Sequence, residues 1–398
     1  MVPPLRRYYL NAGFDLEIGG FSTLSVRRAA DEMTTLFIPI LQDGDCAVVD
    51  VAVPDCWMDY LRSFGLAGGE VLPPGVSARA GTPVVWGWNP FAAERIAPVC
   101  ADAYPPFAAV RKVNGRSFCS DCAERFGFGV PGSRFCRTIG ETESLLSGHD
   151  TVFPLVVKPV FGGSGYGFRV LKNRGQWNIE RSRIERLCRG GGVIVEPWLR
   201  RKYDLSTSTK ISRDGAVGAV TFQRQWVNGF GAWYGSYCDP TDPVVSRWKD
   251  QLETATRAAA AEVAREGYFG PVGFDSFVYG ERGKEHLAAV IEINARYTMG
   301  MLAQEIRSIL SLKGPMVVRS IGRKKCVLPE TMETWSTVCD EFAYDATRKI
   351  GVLPLTPPRI GFEGVWEQPQ RSVFLIVGSS EEEVLLLDRE LRFRLQSK

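Results

Sequence analysis

A glycine-rich loop between two apolar runs is the first feature of this chain that could bind phosphate. Apolar residues lead to Lys158, a loop spanning 162–167 follows, and a second apolar run begins at Phe168. Glycine lets backbone N–H groups approach phosphate oxygens closely, and the lysine adds a positive charge at the end of a long side chain. The order of strand, cation, glycine loop and strand therefore favours polyphosphate binding, although an ordinary β-hairpin shares it.

A second group of polar residues lies within two predicted strands between positions 270 and 296, which are rich in Val, Ile and Phe. Glu292, Asn294 and Arg296 alternate along the second strand and therefore project from one face. An antiparallel partner strand would bring Asp275 onto that face. Carboxylate and amide oxygens suit Mg²⁺, which takes its remaining ligands from water and nucleotide phosphates. A polar stripe on a solvent-facing strand would have a similar sequence. Apolar residues flank these positions on both faces of the strand, however, which favours a buried strand. Two acids that are buried together need a positive charge nearby.

Together these motifs resemble the ATP-grasp superfamily, in particular its carboxylate–amine ligases of the peptide or amino-acid type. The residues that carry the resemblance, in chain order, are Lys158-Pro159, the glycines of 162–167, Glu196-Pro197-Trp198-Leu199, Asp275, Glu292, Asn294 and Arg296. The resemblance covers about half of the chain, from Lys112 to Leu302. It is specific for the superfamily and leaves the substrate open.

The resemblance implies an ATP site. Its implied nucleotide-binding residues are Lys158, Gly162, Gly163, Ser164, Gly165, Gly167, Glu196, Trp198, Leu199 and Asp204. Lys158 would contact the phosphates while the glycine loop closes over them. The hinge strand 193–199 would bind adenine through its backbone, with Glu196 beside the exocyclic amine, and Asp204 would reach the ribose hydroxyls.

The resemblance also implies a metal site and a reactive centre. Asp275, Glu292 and Asn294 would bind Mg²⁺ or Mn²⁺, and Arg296 would neutralise charge on an acyl phosphate. Lys210 has the same strand parity as the ribose-binding residue, so it is assigned to the cleft as a second catalytic cation.

Two positions depart from the pattern of the superfamily. Members often carry a lysine early in the ATP-grasp domain, and the matching stretch here offers either Lys112 or Arg116. Arginine is not equivalent to lysine, because its planar fork differs from an ammonium group. Some relatives place an arginine two residues before the first metal carboxylate, where this chain has Gly273. Arg296 is therefore the better candidate for the reactive end.

The segment 221–235 interleaves aromatic residues and glycines with one arginine, Arg224. This arginine could bind a substrate carboxylate through its fork, and the segment would then form a wall over the substrate. A hairpin with tryptophans in the core explains the same composition equally well.

The implied chemistry is ATP-dependent ligation of a carboxylate to an amine, with an amino acid or short peptide as acceptor. Phosphoryl transfer from ATP converts an unreactive carboxylate into an acyl phosphate, and the enzyme aligns and shields the two anions. The alternatives are a phosphotransferase of the same fold and a non-catalytic nucleotide-binding protein, and the intact acid set weighs against the latter. The two histidines, His149 and His286, are isolated near turns, which argues against a triad hydrolase.

The composition is that of an ordinary globular enzyme. The 398 residues are 45% apolar and 23% charged, and a formal net charge of +3 is too small to indicate a nucleic-acid or membrane partner. No apolar stretch approaches the roughly 20 residues of a membrane span, and the first residues lack a signal-peptide core, which predicts a cytoplasmic protein. The spacing Cys119-x-x-Cys122 could begin a zinc site, but no second such pair follows, and packing of both cysteines in a helix is preferred.

Strand and helix patterns predict three regions with a mixed α/β and α+β fold. Residues 1–105 form a small α/β domain with a parallel sheet ahead of the ATP-grasp core. The resemblance implies that residues 106–313 are that core, in which two α+β subdomains would grip ATP, and helical spacing predicts its clearest helix over 246–266. Residues 314–398 form a small α+β domain that packs on the core or contributes to a homodimer.

Overall fold

The computed structural model describes residues 5–20, 24–73, 76, 81–96, 103–148, 151–163, 167–229, 231–323 and 328–396. His149, Ser164 and Gly165 lie outside the described residues. Within those ranges, no helix is both long enough and apolar enough to cross a membrane.

A four-stranded parallel sheet forms the first part of the fold, as the strand–helix alternation predicted. Its strands are β1 (Arg6–Tyr9), β2 (Cys46–Val48), β3 (Glu70–Leu72) and β4 (Thr82–Val85), in the order β3-β2-β1-β4. Its helices are α1 (Phe14–Glu17), α2 (Leu24–Met33), α3 (Asp55–Arg62) and α4 (Pro90–Arg95), with a 3₁₀ segment at Thr34–Ile40. Because the strands are parallel, the loops after β1 and β4 lie at one edge, where open sheets commonly bind ligands.

A small antiparallel sheet forms the second part. Its strands are β5 (Arg134–Cys136), β6 (Leu155–Pro159), β7 (Arg169–Leu171) and β8 (Val193–Pro197), in the order β5-β8-β6-β7. Its helices are α5 (Phe107–Val113), α6 (Arg116–Phe126), α7 (Ile139–Ser147) and α8 (Arg174–Arg189). Cys119 and Cys122 are buried free thiols on α6, so the interpretation that they pack in a helix is confirmed.

An eight-stranded antiparallel sheet forms the third part, in the order β13-β12-β9-β10-β11-β14-β18-β15. Its strands are β9 (Arg201–Ile211), β10 (Thr221–Val227), β11 (Trp233–Cys238), β12 (Gly270–Glu281), β13 (Lys284–Asn294), β14 (Met316–Gly322), β15 (Gly351–Pro354) and β18 (Arg371–Val377). A separate hairpin pairs β16 (Ile360–Phe362) with β17 (Val365–Glu367). The helices are α9 (Pro243–Arg265), α10 (Met299–Ile309), α11 (Met332–Cys339) and α12 (Glu381–Gln396), with a 3₁₀ turn at Asp340–Phe342.

The long helix α9 confirms the predicted helix at 246–266 and packs against one face of the large sheet. Asp242 caps its first turn by accepting hydrogen bonds from two backbone N–H groups. Leu252 and Val263 are buried on its sheet-facing side, and each such side chain contributes about 2 kcal/mol to stability. Thr256 shares a hydrogen bond of 2.5 Å with Thr207 on β9. The opposite face of β9 is thereby left for the site.

The C-terminal region has the predicted α+β composition but shares the core sheet. Met316 on β14 pairs with Cys238 on β11, and β18 and β15 extend the same sheet. A strand edge left open by β11 would expose unpaired backbone groups, and β14 satisfies them. The boundary expected between 313 and 314 therefore does not separate two sheets.

Candidate active site

One face of the large sheet carries a block of polar side chains. Glu292 on β13 lies opposite Asp275 on β12, and Asp275 lies opposite Ser206 on β9. Ser206 in turn lies opposite Gln223 on β10. Directly opposed residues of antiparallel strands share a face. The two acidic strands therefore pair as expected, and two further polar strands continue their face.

Asp275 lies at the centre of this block and is half-buried. Its two carboxylate oxygens accept hydrogen bonds from Nε2 of Gln225 at 2.7 Å and from Nδ2 of Asn294 at 3.0 Å. Burial, followed by the facing carboxylate of Glu292, raises the pKa of Asp275 from its usual 3.8 to about 6, while Arg296 and the two amide donors oppose the shift. Desolvation and the second carboxylate therefore outweigh the charge of Arg296 at this position.

Two glycines let the N-terminus of α10 lie on this polar face. A Cβ at Gly300 would sit 1.5 Å from Nε2 of Gln223, and a Cβ at Gly273 would sit 2.7 Å from Cγ2 of Thr298. Thr298 caps the helix by accepting from the backbone N–H of Met301 at 3.3 Å. Oε1 of Gln223 is buried and has no hydrogen-bond partner within the described ranges. A helix N-terminus, which favours anions, therefore lines the cleft.

Arg296 connects this face to the parallel sheet. Its Nε and Nη2 donate to the two carboxylate oxygens of Asp15 at 2.7 and 2.8 Å, and Nη2 also donates to Oδ1 of Asn294 at 3.0 Å. The guanidinium carbon lies 5.3 Å from the ring centre of Trp86. Asp15 and Trp86 come from the loops after β1 and β4, and sequence reasoning missed both. The available signal was the tendency of parallel sheets to bind ligands at their carboxyl edge.

Lys158 lies at the inner side of the small sheet and pairs with Glu196 on the neighbouring strand β8. Both side chains are buried. A buried lysine without a partner would be costly, so Glu196 stabilises the cation expected at the phosphates. This carboxylate, expected beside the adenine amine, is engaged with Lys158 in the structure.

Of the two candidates for the early cation, Arg116 lies beside the acidic pair and Lys112 does not. Arg116 is buried and donates to the carbonyl oxygens of Pro159 and Gly162 at 2.9 and 2.7 Å, and to Oε1 of Glu292 at 2.5 Å. Lys112 is exposed and pairs with a surface glutamate at 2.6 Å. The structure thus places one arginine between the start of the glycine loop and the acidic pair.

The described part of the glycine loop uses glycine for two physical reasons. Gly162 and Gly167 have φ values of 145° and 84°, which side chains with a Cβ adopt rarely. Gly163 lies against Asp15, because a Cβ there would sit 2.8 Å from Oδ2 of that residue. The loop therefore meets the parallel sheet next to Arg296.

The remaining predicted nucleotide-binding residues divide between the cleft, which Asp204 lines, and positions outside it. Asp204 lines the cleft and accepts a hydrogen bond from Nη1 of Arg201 at 2.7 Å, and burial raises the pKa of its carboxyl. Arg201 also lies 5.7 Å from the ring centre of Trp198. Leu199 packs into a small apolar cluster that contains Phe277. Trp198 and Leu199 are not among the side chains that line the cleft.

Lys210 lies outside the cleft, contrary to the assignment from strand parity. It is exposed and lines a separate cavity of about 1050 Å³ that also contains Glu305. Parity places Lys210 on the correct face, but Ser206 lines the cleft and Ser208 already lines the other cavity. Four residues of extended strand beyond Ser206 span about 13 Å, which is too far for a catalytic contact.

Arg224 faces away from the cleft, so its assignment to the substrate is corrected. It pairs with the buried Asp242 and with Glu381, and its guanidinium carbon lies 4.3 Å from the ring centre of Tyr237. Its strand neighbours Gln223 and Gln225 line the cleft. The reason is the alternation of a β-strand, which sends adjacent side chains to opposite faces.

Ion pairs already engage four cations on the walls of the site. The pairs are Lys158–Glu196, Arg116–Glu292, Arg201–Asp204 and Arg296–Asp15. The walls enclose a cleft of about 240 Å³ and an adjoining cavity of about 210 Å³ on the hinge side, and Lys158 lines both. A polyanion that enters the cleft must therefore exchange with these carboxylates or bring its own cations.

A comparison with models of known protein families finds no match. Over 200 residues, the chain is 28% identical to the butirosin acyl-carrier protein–L-glutamate ligase of Niallia circulans, covering 49% of this chain and 45% of that protein. Over 172 residues, it is 30% identical to the formate-dependent phosphoribosylglycinamide formyltransferase of Cupriavidus necator, covering 40% of each. The chain thus matches less than half the length of both relatives.

Solved structures match nearly the whole chain. The ADP complex of purK, an N5-carboxyaminoimidazole ribonucleotide synthetase, has a TM-score of 0.57 at 14% identity and covers 100% of this chain and 99% of that one. A biotin carboxylase complex from Campylobacter jejuni has a TM-score of 0.56 at 12% identity and covers 96% of this chain and 89% of that one. The fold is therefore the ATP-grasp fold, as expected from the motifs.

Proposed function

We propose that this protein is an ATP-dependent ligase that joins a carboxylate to an amine through an acyl phosphate. The observation that carries the proposal is the acidic pair Asp275–Glu292, with Arg116 and Lys158 on the side of the small sheet and Arg296 on the side of the parallel sheet. Such a centre suits the alignment of two anions, ATP and a carboxylate. The name of one relative, which describes the ligation of L-glutamate, supports an amino acid as a substrate.

In the proposed first step, a carboxylate oxygen of the substrate attacks the terminal phosphorus of ATP, and ADP leaves. In the second step, the amine nitrogen attacks the acyl carbon, inorganic phosphate leaves, and the nitrogen loses a proton. Lys158 and Arg116 would exchange their carboxylate partners for phosphate oxygens. The N-terminus of α10, with Thr298 at its cap, would face the reacting groups.

The acidic pair fits a divalent cation by its chemistry. Asp275 and Glu292 present hard carboxylate oxygens, as Mg²⁺ or Mn²⁺ prefers. Desolvation and the neighbouring Glu292 raise the pKa of Asp275, and a bound cation would favour its charged form. Asn294 would join as a third ligand once its amide oxygen releases Arg296. A bound cation would neutralise phosphate charge during transfer.

The test is ATP turnover with pools of small carboxylates and amino acids, with hydroxylamine added to trap an acyl phosphate as a hydroxamate. ADP release together with a hydroxamate supports the ligase. ADP release with a stable phosphorylated product, and no hydroxamate, would favour a phosphotransferase. Absence of ATP consumption with every pool would contradict both enzymes and leave a nucleotide-binding role.

Two variants connect the activity to the site. Glu292→Gln should abolish turnover, whereas Glu285→Gln, on the same strand but outside the cleft, should not. Lys158→Ala should also abolish turnover, and it should destabilise the protein by about 3 kcal/mol or more because Glu196 is left buried and unpaired. Adding Glu196→Gln to the lysine variant should recover stability but not activity. Turnover near the wild-type rate in Glu292→Gln would show that the site is wrongly placed.

A further inference from the structure

Neither the sequence motifs nor the proposed reaction accounts for Asp15. It lies in α1, directly after β1, and its carboxylate accepts two parallel hydrogen bonds from Arg296 at 2.7 and 2.8 Å. We propose that Asp15 is a positioning residue that occupies the carboxylate-binding fork of Arg296, so that Arg296 meets its anionic ligand through a single remaining N–H group. The consequence for turnover rests on the proposed function, whereas the consequence for anion binding does not.

The donors of Arg296 can be counted. A guanidinium group has five N–H groups. Nε and one N–H of Nη2 bind Asp15, the second N–H of Nη2 binds Asn294, and Nη1 donates to the carbonyl oxygen of Tyr297 at 3.0 Å. Both bidentate forks of an arginine include Nη2, so neither fork remains for an incoming carboxylate or phosphate. Counting partners among the described residues only, the one N–H that remains lies on Nη1.

The position of Asp15 is fixed by its neighbours. Phe14, the preceding residue, is fully buried, and a Cβ at Gly87 would sit 2.4 Å from its ring. Asn11 exchanges two hydrogen bonds with the backbone of Gly87, at 2.9 and 3.0 Å. The short helix α1 is therefore attached to the loop after β4, and the carboxylate is held where Arg296 reaches it.

The glycine loop touches the same carboxylate. A Cβ at Gly163 would sit 2.8 Å from Oδ2 of Asp15 and 3.2 Å from its Cβ. The loop expected to cover the phosphates therefore packs directly on the carboxylate that holds Arg296. Asp15 thus links three parts of the molecule: the parallel sheet, the loop and the reactive face of the large sheet.

The pairing of Arg296 with Asp15 affects how strongly Arg296 binds the ground state relative to the transition state. With its fork occupied and its charge balanced, Arg296 binds a ground-state anion weakly, and it keeps one oriented donor for charge that develops during transfer. Interactions that strengthen only in the transition state raise the rate, whereas a free fork would bind substrate and product more tightly without raising it. Asp15 is therefore expected to weaken anion binding while it increases turnover.

The first experiment is a calorimetric titration of inorganic phosphate in the presence of ADP and Mg²⁺, and it needs no turnover. Asp15→Asn keeps the shape of the side chain and removes its charge, and it should bind phosphate about tenfold more tightly than the wild type. The matched control is Glu17→Gln, two residues along in α1, whose carboxylate accepts from Asn89 at 2.7 Å and which should bind as the wild type does. A second variant, Asp15→Ser, should reproduce the gain, and a gain in neither variant overturns the proposal.

The second experiment separates kcat from KM in the hydroxamate assay. Asp15→Asn should lower kcat by about tenfold or more, with the KM for the carboxylate unchanged or lower. A smaller folded fraction would also lower the apparent kcat without changing KM, so kcat is calculated per folded protein, and tighter phosphate binding separates positioning from a loss of structure. An unchanged kcat with a raised KM would overturn the proposal, because it would place Asp15 in contact with the substrate. A wild-type protein that forms no hydroxamate would refute the ligase alone, and the phosphate titration would still decide on Asp15.

Discussion

Replacing Asp275 with asparagine should make the protein more stable at pH 8 and inactive at the same time. Asp275 is half-buried opposite Glu292, and desolvation together with the repulsion between the two carboxylates raises its pKa although Arg296 opposes the shift. Residues kept for function often cost stability in this way. The variant removes the buried charge and also one of the two carboxylates proposed to bind metal.

The magnitude follows from the pKa and the hydrogen bonds. The increase in the pKa of Asp275 from 3.8 to about 6 corresponds to about 3 kcal/mol in the free energy of unfolding, at about 1.4 kcal/mol per unit. Asparagine offers one oxygen to the two donors that now bind Asp275, namely Gln225 and Asn294. Losing one hydrogen bond costs about 1.5 kcal/mol. The expected net gain in the free energy of unfolding at pH 8 is therefore about 1 to 2 kcal/mol.

The stability of the wild type should decrease as the pH rises through the titration of Asp275. Because the pKa of Asp275 is higher in the folded than in the unfolded chain, the folded state binds the proton more strongly. The free energy of unfolding therefore falls as the pH rises from about 4 to about 6, and the wild type carries the full penalty above that range. Near pH 5 about half of the penalty remains, which equals the lost hydrogen bond, so the variant and the wild type should then unfold together.

The assay is urea unfolding followed by tryptophan fluorescence at pH 8 and pH 5, with ATP turnover measured in parallel. Asp250→Asn, an exposed aspartate on α9, serves as the control and should change neither quantity. A loss of stability in Asp275→Asn at pH 8, or an equal gain at both pH values, would refute the reasoning from buried repulsion. Retained turnover would refute the role of this carboxylate in the reaction.

Three further outcomes are expected. Gly300→Ala should lower turnover and reduce the free energy of unfolding in urea by about 1 to 3 kcal/mol, because its Cβ would overlap Gln223 and displace α10. Unchanged kinetics would contradict the close packing of α10 on the sheet. Gly140→Ala in α7, where the nearest atom is 3.9 Å away, should stabilise the protein by up to about 1 kcal/mol, and a loss would show that the helix lacks room. Arg224→Ala should cost about 3 kcal/mol in unfolding, since Asp242 stays buried, but leave KM unchanged; a raised KM would restore its role at the substrate.

The local sequence pattern was sufficient to predict several helices and strands and part of the candidate site. The helix α9 was predicted because its apolar residues recur at helical spacing, and the strands β12 and β13 because their composition and intervening turn are typical of a hairpin. The shared face of Glu292, Asn294 and Arg296 followed from strand alternation alone. Alternation also explains the error at Arg224, because no short-range signal tells which face of β10 meets the cleft. At Lys210 the predicted face of the strand was correct, but Lys210 lies too far along β9 to reach the cleft. The packing of α10 on the sheet determines where the cleft ends.

The sequence by itself indicated the ATP-grasp fold, the order of the motifs and the residue types that suit phosphate binding, because these depend on residue types and on spacing within single strands and turns. Only the tertiary structure decided which partners those residues have. Asp15 reaches Arg296 across 281 positions of chain, and Arg116 was selected over Lys112 by burial beside Glu292. Such pairs are made by the docking of three sheets, and the energies that select them act through space and leave no periodic pattern in the chain.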